Sequence, residues 1–374
     1  MNTNEFISEN LDTSNLKTVS FTSKAPSNIA LVKYWGKEKV QIPKNTSISF
    51  TLNACFTLTT LKFTKNSEED VLPKHFYKNV EVFFEGKKKE DFKPKIITFL
   101  ERIEKFCPYL KQYKIEINSR NSFPHSSGIA SSASGFAAIA HCIMQLEKEL
   151  SQILNIKLND ELFVKKASFL ARLGSGSASR SLEGEVVVWG SHDKINGSSD
   201  LFGVKFPFKL HENFKNYHDT ILLVDKGEKQ VSSTVGHNLM NNHPFAEQRF
   251  VQANENINKI SKILQNGNLE QFINIVESEA LILHAMMMTS NPYFILMKPN
   301  TLKIINEIWR FRKETKLPIC FTLDAGANVH ILFPEKDRKT INDFITNELI
   351  QYCQNKAYIC DRIGFGANAI RSIL

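Results

Sequence analysis

Asp324 stands alone at the end of an apolar run in FTLDAGANVH, just before a small-residue turn. A carboxylate there can be aimed into a cleft to accept or steer a proton. Shaping the turn through an Asx hydrogen bond is the plainer role for it in isolation. Lys33 and Lys37 flank Tyr34 and Trp35 in SNIALVKYWGK, and Ser175, Ser177, Ser179 and Arg180 fall in the Gly-rich ARLGSGSASRS. Hydroxyls beside a guanidinium suit an oxyanion. Surface lysines and a flexible loop are the alternatives for these two stretches.

A fourth stretch, NSFPHSSGIASSASGFAAIAHCIMQL at 121–146, passes from Ser, Gly and Pro to Ala and large apolar residues. Phe136, Ile139, Ile143 and Leu146 recur at helical spacing, while Pro124 and Gly128 keep the preceding residues out of a helix. The spacing therefore predicts a helix start near 131–134. Such a start leaves about four backbone N–H groups unpaired and carries roughly half a positive charge. Small residues (Ser126, Ser127, Gly128, Ser131 and Ser132) let a large anion approach that backbone, and phosphate is the expected guest. An ordinary Ser-capped helix is the alternative.

The elements that must position these groups form a mixed pattern. Strands are expected over 46–64, 79–90, 184–190 and 219–225, with a strand–turn–strand unit across PICFTLDAGANVHILFP. Helical periodicity covers about 92–107, 134–154, 160–173, 243–265, 268–286 and 300–314. This is an α+β pattern without the strict alternation of a doubly wound sheet. A chain of 374 residues, 42% hydrophobic, can fill two lobes. The expected division is a polar, mobile extension at 1–20, an N-terminal lobe at 21–205 carrying the phosphate loop, and a C-terminal lobe at 206–374.

Several functions are excluded or weakened. The net charge of +8 permits an anionic partner, but the lysines are scattered and lack the modules of a nucleic-acid binder. No apolar run approaches the roughly 18 residues of a membrane span. The first twenty residues lack the features of a signal or transit peptide. Six dispersed cysteines without a CxxC pair indicate neither a zinc site nor a disulfide framework, and a reducing compartment, the cytoplasm, is the simplest expectation. YWGKEK lacks the upstream Gly and the hydroxyl of a Walker A loop, and GFGANA at 364–369 has no room for a following βαβ unit, so it reads as a turn.

Taken together, SNIALVKYWGK, NSFPHSSGIASSASGFAAIA, ARLGSGSASRSLEG, KQVSSTVGH and FTLDAGAN resemble, in order, the signatures of the mevalonate diphosphate decarboxylases. These belong to the superfamily of galactokinase, homoserine kinase, mevalonate kinase and phosphomevalonate kinase. The resemblance runs from residue 25 to about 330. It implies a two-lobed α+β fold of the mevalonate kinase type with ATP and substrate in the cleft between lobes. The implied reaction converts mevalonate 5-diphosphate and ATP to isopentenyl diphosphate, ADP, phosphate and carbon dioxide.

The resemblance also assigns roles. Asp324 would face the substrate 3-hydroxyl, with Lys33 beside it, and Arg180 would grip the substrate carboxylate. Tyr34, Lys37, Ser175, Ser177 and Ser233 would hold the diphosphate tail, with Asn28 and Ser232 adjacent. Ser126, Ser127, Gly128, Ser131 and Ser132 would wrap the ATP phosphates, with Ser132 also toward Mg²⁺. A homodimer in the cytoplasm is the family expectation, with no membrane or nucleic-acid partner.

The sequence departs from the family pattern in three places. Leu182, Glu183, Gly184 and Glu185 replace an aromatic residue and two glycines, and the two carboxylates are tolerable near an anion only if they point outward. His125, Ser126 and Ser127 stand where Thr-Ala-Ala is frequent, and Ala327 stands for a frequent Pro. A mevalonate 3-kinase and a decarboxylase of mevalonate 5-phosphate are the rival readings. The related 3-kinases lack the Asp324–Lys33 pair, and the groups assigned to the tail favour a diphosphate.

Overall fold

The structure, a computed structural model, describes residues 2–8, 11–67, 80–125, 128–156, 158–227 and 233–370, without the side chains of 39, 233 and 234. Its larger sheet contains β1 (Thr18–Val32), β2 (Ser47–Lys65), β3 (Glu81–Phe84), β4 (Lys87–Lys88) and β5 (Tyr113–Asn121). β6 (Val186–Trp189) and β7 (Gly203–Lys205) extend it from one end of β2. Helices α1 (Lys93–Ile103), α2 (Ser131–Ile153) and α3 (Asp160–Gly174) complete the first lobe.

A second sheet of four antiparallel strands uses β8 (His218–Leu222), β9 (Cys320–Leu323), β10 (Val329–Phe333) and β11 (Tyr358–Arg362), in the order β9-β10-β8-β11. The same half of the chain holds α4 (Ser233–Asn238), α5 (Ala246–Asn266), α6 (Leu269–Met288), α7 (Pro299–Thr315) and α8 (Arg338–Phe344). The chain then crosses back, because β12 (Asn368–Ile370) pairs with β1. Gly364 and Gly366 allow this return. A Cβ on either would lie within 2.6 Å of backbone atoms of Leu52 or of Leu182 and Glu183. GFGANA is thus a close-packed connection rather than a nucleotide loop.

The burial of β1 and β2 explains how the lobes join. The first half of β1 is partly exposed, and β2 alternates buried and more exposed residues from Cys55 to Phe63. That is the pattern of a sheet with one solvated face. Ala25–Val32 of β1 and Ser47–Leu52 of β2, by contrast, are buried without interruption. There Ile29, Leu31, Ile48 and Phe50 share a core with Ile257, Ile260, Phe272 and Val276 of α5 and α6. The doubly covered end of β1 carries the chain into the segment from Lys33 to Lys37, and so fixes that segment between the lobes.

The N-terminal extension is not loosely attached, contrary to the sequence expectation. Phe6 is wholly buried and stacks on Phe169 with ring centroids 4.3 Å apart. The Ser8 hydroxyl bonds the Phe106 carbonyl and Glu147. A polar composition hid one aromatic anchor. Among the described residues no helix is long and apolar enough to cross a membrane, and all six cysteines are free.

Candidate active site

A cleft of about 920 Å³ is lined by residues of both lobes. β1 delivers Asn28 and, beyond its end, Lys33 and Tyr34; the first turn of α2 delivers Ser131 and Ser132. The 3₁₀ turn Gly176–Ser181 after α3 delivers Arg180, and Asp324 immediately follows β9. Four sequence stretches spread over about 300 residues therefore meet at one place. Gly128, at φ +86°, and Gly326 bring the phosphate loop and the Asp324 turn into direct contact: a Cβ on Gly128 would lie 3.9 Å from the Gly326 Cα.

Lys33 Nζ lies 3.7 Å from Asp324 Oδ1 and makes no hydrogen bond among the described residues. The lysine is 1% exposed. Burial pushes its pKa down to about 8, against the opposing pull of the Asp324 and Glu279 carboxylates. Its backbone is clamped. The Lys33 N–H donates to Glu279 Oε2 at 2.9 Å, and its carbonyl accepts from Asn45 and Arg249. Glu279 is completely buried and also accepts from Arg249 and Asn256.

Asp324 does not shape its turn through its side chain. The Gly326 N–H bonds the Asp324 carbonyl at 2.7 Å, and His284 Nε2 lies 3.2 Å from the same oxygen. Burial lowers the His284 pKa to about 4, so the ring is neutral and donates there. The Asp324 carboxylate has no hydrogen-bond partner among the described residues and faces Lys33 in the cleft. The Asx alternative is thereby set aside.

Arg180 is 3% exposed, and its pKa is pushed down to about 10 by burial. Its Nε donates to Asn28 Oδ1 at 3.3 Å and Ser49 Oγ at 3.1 Å, and one Nη donates to Ser47 Oγ at 2.7 Å. Asn28 in turn donates to the Ser177 carbonyl and Ser181 Oγ. Its amide is thus engaged in holding the Arg180 turn. Glu183 accepts from the Lys205 N–H and Glu185 is exposed, and neither lines the cleft. The departure LEGE therefore places no charge against an anion in the cleft.

Ser132 Oγ lies 3.2 Å from Ser175 Oγ, which lies 3.5 Å from Ser177 Oγ, joining the phosphate loop to the Gly/Ser turn. Lys37 Nζ donates to Gln41, and burial with nearby Arg102 and Lys95 lowers its pKa. The Tyr34 hydroxyl is buried without a hydrogen-bond partner among the described residues, and a Cβ on Gly176 would stand 2.9 Å from it. Ser126, Ser127 and Ser232 lie outside the described residues. Ser233 opens α4, and its side chain is likewise outside the description.

α2 starts at Ser131 with no side-chain cap on its first turn, and Ala130 before it adopts φ 45°, ψ 42°. A non-glycine residue in that region costs on the order of 1–3 kcal/mol. The strain accompanies a helix start whose first residues line the cleft. Lys87, Lys89, Lys95 and Arg102 line the same cleft. Among the described residues no group of three His, Cys, Asp or Glu side chains could hold a metal. Mg²⁺ keeps several waters and uses few protein ligands beside phosphate. One hydroxyl at Ser132 is therefore compatible with an ion arriving on a nucleotide.

Sequence reasoning missed the Glu279–Arg249–Asn256 clamp, His284, and the trio Phe84, Phe92 and His125 at the cleft wall. The rings of that trio lie 5.1–5.5 Å apart. It also left His237, quoted within KQVSSTVGH, without a role. The clamp gives no local signal, since Lys33 and Glu279 are 246 positions apart.

Comparison with known proteins identifies the family and the fold. The family model described as the diphosphomevalonate decarboxylase-like N-terminal domain matches residues 25–200. That of the mevalonate 5-diphosphate decarboxylase C-terminal domain matches 220–364. The diphosphomevalonate decarboxylase of Ganoderma lucidum is 30% identical, covering 94% of this chain and 86% of its own. That of Candida albicans is 28% identical, covering 85% of each chain. The mevalonate diphosphate decarboxylase of Staphylococcus aureus superposes with a TM-score of 0.77 at 27% identity, over 95% of this chain and 98% of that one. A structure described as MDDEF in complex with MVAPP, AMPPCP and magnesium gives 0.76 at 26%, over 95% and 100%. The chain belongs to the diphosphomevalonate decarboxylase family, with the two-lobed α+β fold of its relatives.

Proposed function

We infer that the cleft carries out the family's reaction on mevalonate 5-diphosphate: ATP-dependent decarboxylation to isopentenyl diphosphate, with ADP, phosphate and carbon dioxide released. The observation that carries the assignment of roles is the Lys33–Asp324 pair, a buried ammonium facing a partly exposed carboxylate, neither with a hydrogen bond among the described residues, inside a polyanion-sized cleft. Asp324 orients the tertiary 3-hydroxyl and accepts its proton as that oxygen attacks the γ-phosphoryl group. Lys33 stands beside the Asp324 carboxylate and offsets charge on the transferring group. Positioning and electrostatics supply most of the catalysis in such transfers. When C3–O cleavage leaves positive charge at C3, the electrons of the carboxylate C–C bond form the double bond and carbon dioxide departs.

Arg180 sits in a neutral cradle of Asn28, Ser47 and Ser49, so its charge stays available for the substrate carboxylate. Tyr34, Lys37, Ser175, Ser177 and Ser233 take the diphosphate tail, with Asn28 and Ser232 supporting them. The loop through Gly128, Ser131 and Ser132, with Ser126 and Ser127, takes the ATP phosphates on the N-terminus of α2. Mg²⁺ would be held there by Ser132 and the nucleotide, where it would screen phosphate charge. The aromatic trio beside Lys89 and Lys95 offers stacking surface to the base. The two-lobe division near residue 205, a cytoplasmic location and a homodimer complete the reading.

The test is a coupled ADP-release assay with carbon dioxide measured in parallel, comparing mevalonate, its 5-phosphate and its 5-diphosphate. Equal ADP and carbon dioxide from the diphosphate alone is the expected result. ADP without carbon dioxide would reassign the chain as a kinase, and preference for the monophosphate would reassign the tail site.

A further inference from the structure

His237 is more than nine-tenths buried yet lines the cleft. It lies on α4 of the second lobe but is held by the first. Its ring lies against Tyr34 and Trp35, with centroids 4.2 and 4.6 Å away. Neighbouring Gly236 lets the helix come this close, since a Cβ there would stand 2.5 Å from the Trp35 ring. The Gly36 N–H donates to His237 Nδ1 at 3.0 Å. An accepting Nδ1 leaves the proton on Nε2. That Nε2–H has no partner among the described residues. Burial, with Lys37 and Arg180 nearby, lowers the pKa of the ring to about 3, so it stays neutral.

We propose that His237 is a further substrate-binding residue, whose Nε2–H donates to a phosphoryl oxygen of the substrate's diphosphate tail. The proposal rests on the tail assignment made above. The neighbours of His237 favour the substrate over ATP: it packs on Tyr34, whose hydroxyl abuts Gly176 between Ser175 and Ser177. Its contribution differs from that of the lysines. A neutral donor recognises phosphate through direction alone, in a cleft where Lys33, Lys37 and Arg180 already supply charge. Because Nδ1 is tied to Gly36, the donor is preorganised and little side-chain freedom is lost on binding.

The test uses His237→Phe, which keeps the ring but removes both nitrogens, and His237→Gln, which restores an amide donor. In steady-state kinetics, the KM for mevalonate 5-diphosphate should rise about tenfold or more in the Phe variant, as expected for losing a hydrogen bond to a charged group. The KM for ATP and kcat should stay within about twofold, and Gln should recover most of the loss. An unchanged substrate KM in His237→Phe overturns the proposal. So does a rise in the KM for ATP instead, or an equal loss in both variants with a lowered Tm, which would mark a purely structural role. Calorimetric titration of inorganic pyrophosphate, weaker in Phe and restored in Gln, reads the same bond without turnover. It therefore separates failure of this proposal from failure of the assigned reaction.

Discussion

Two lysine–carboxylate pairs, each with a buried lysine, sit in one molecule and are built differently. Lys166 Nζ donates to both oxygens of Glu147 at 2.8 Å, and also to Ser8 Oγ and the Phe106 carbonyl. Glu147 accepts further from Ser8 and Tyr109. Every strong donor there has a partner, and the cluster ties α2, α3 and the N-terminal extension into one core. Lys33 and Asp324 stand 3.7 Å apart, and neither side chain has a hydrogen bond among the described residues. Rigid backbone bonds hold the second pair while its charges stay free to act on a ligand. A saturated pair holds structure together; an unsaturated one, with its backbone clamped, is arranged for chemistry.

Asp324→Asn probes the contrast with the largest expected effect. It preserves size while deleting the negative charge and the proton acceptor. ADP and carbon dioxide release should fall together by roughly 10²- to 10⁴-fold in kcat, with both substrates bound about as well as in the parent. Parental ADP formation without carbon dioxide would place Asp324 after phosphoryl transfer instead. The substitution also removes the nearest charge opposing the burial of Lys33, so the lysine's pKa should fall further and some stability at neutral pH be lost with it.

Lys166→Met should show the reverse. Removing one partner leaves Glu147 charged and buried, which costs about 3–5 kcal/mol. Denaturant unfolding would read this as a lowered midpoint, while kcat of the folded protein stays within about twofold. The double variant Lys166→Met with Glu147→Leu should recover much of the loss, since apolar replacement of a buried pair is often near neutral. A Lys166→Met protein of parental stability would show that the saturated pair contributes nothing.

The same contrast explains what the sequence made legible. α2 and α3 carry long helical periodicity, and the catalytic stretches carry residue types that are unusual together; both can be read locally. The turn at Asp324 can also be located locally, but its competing roles cannot be separated without seeing which oxygen the Gly326 N–H bonds. The supports are different. Glu279 reaches the Lys33 N–H from α6 of the other lobe, and Phe6 finds Phe169 across the N-terminal lobe. No periodicity records such pairings. His237 falls between these cases: its residue type was visible, but its tautomer is set by Gly36, which only folding brings near.

The smallest effect concerns the charge state of Lys33 itself. Burial lowers its pKa to about 8, so the ammonium is charged at neutral pH and is lost as pH rises through that value. Because kcat/KM reports ionisations of the free enzyme, it should fall with rising pH about a midpoint near 8, to roughly a tenth one unit higher. Bound anions favour the ammonium, so kcat should hold to higher pH than kcat/KM. Stability should move the other way. An unfolded lysine titrates near about 10.4, so between about 8 and 10.4 the unfolded chain binds the extra proton. This lysine's contribution to stability therefore increases with pH across that window, while kcat/KM declines. A kcat/KM profile flat to well above pH 9 would show that the cleft holds Lys33 charged by contacts stronger than the 3.7 Å approach to Asp324, and the contrast with the saturated Lys166 pair would disappear.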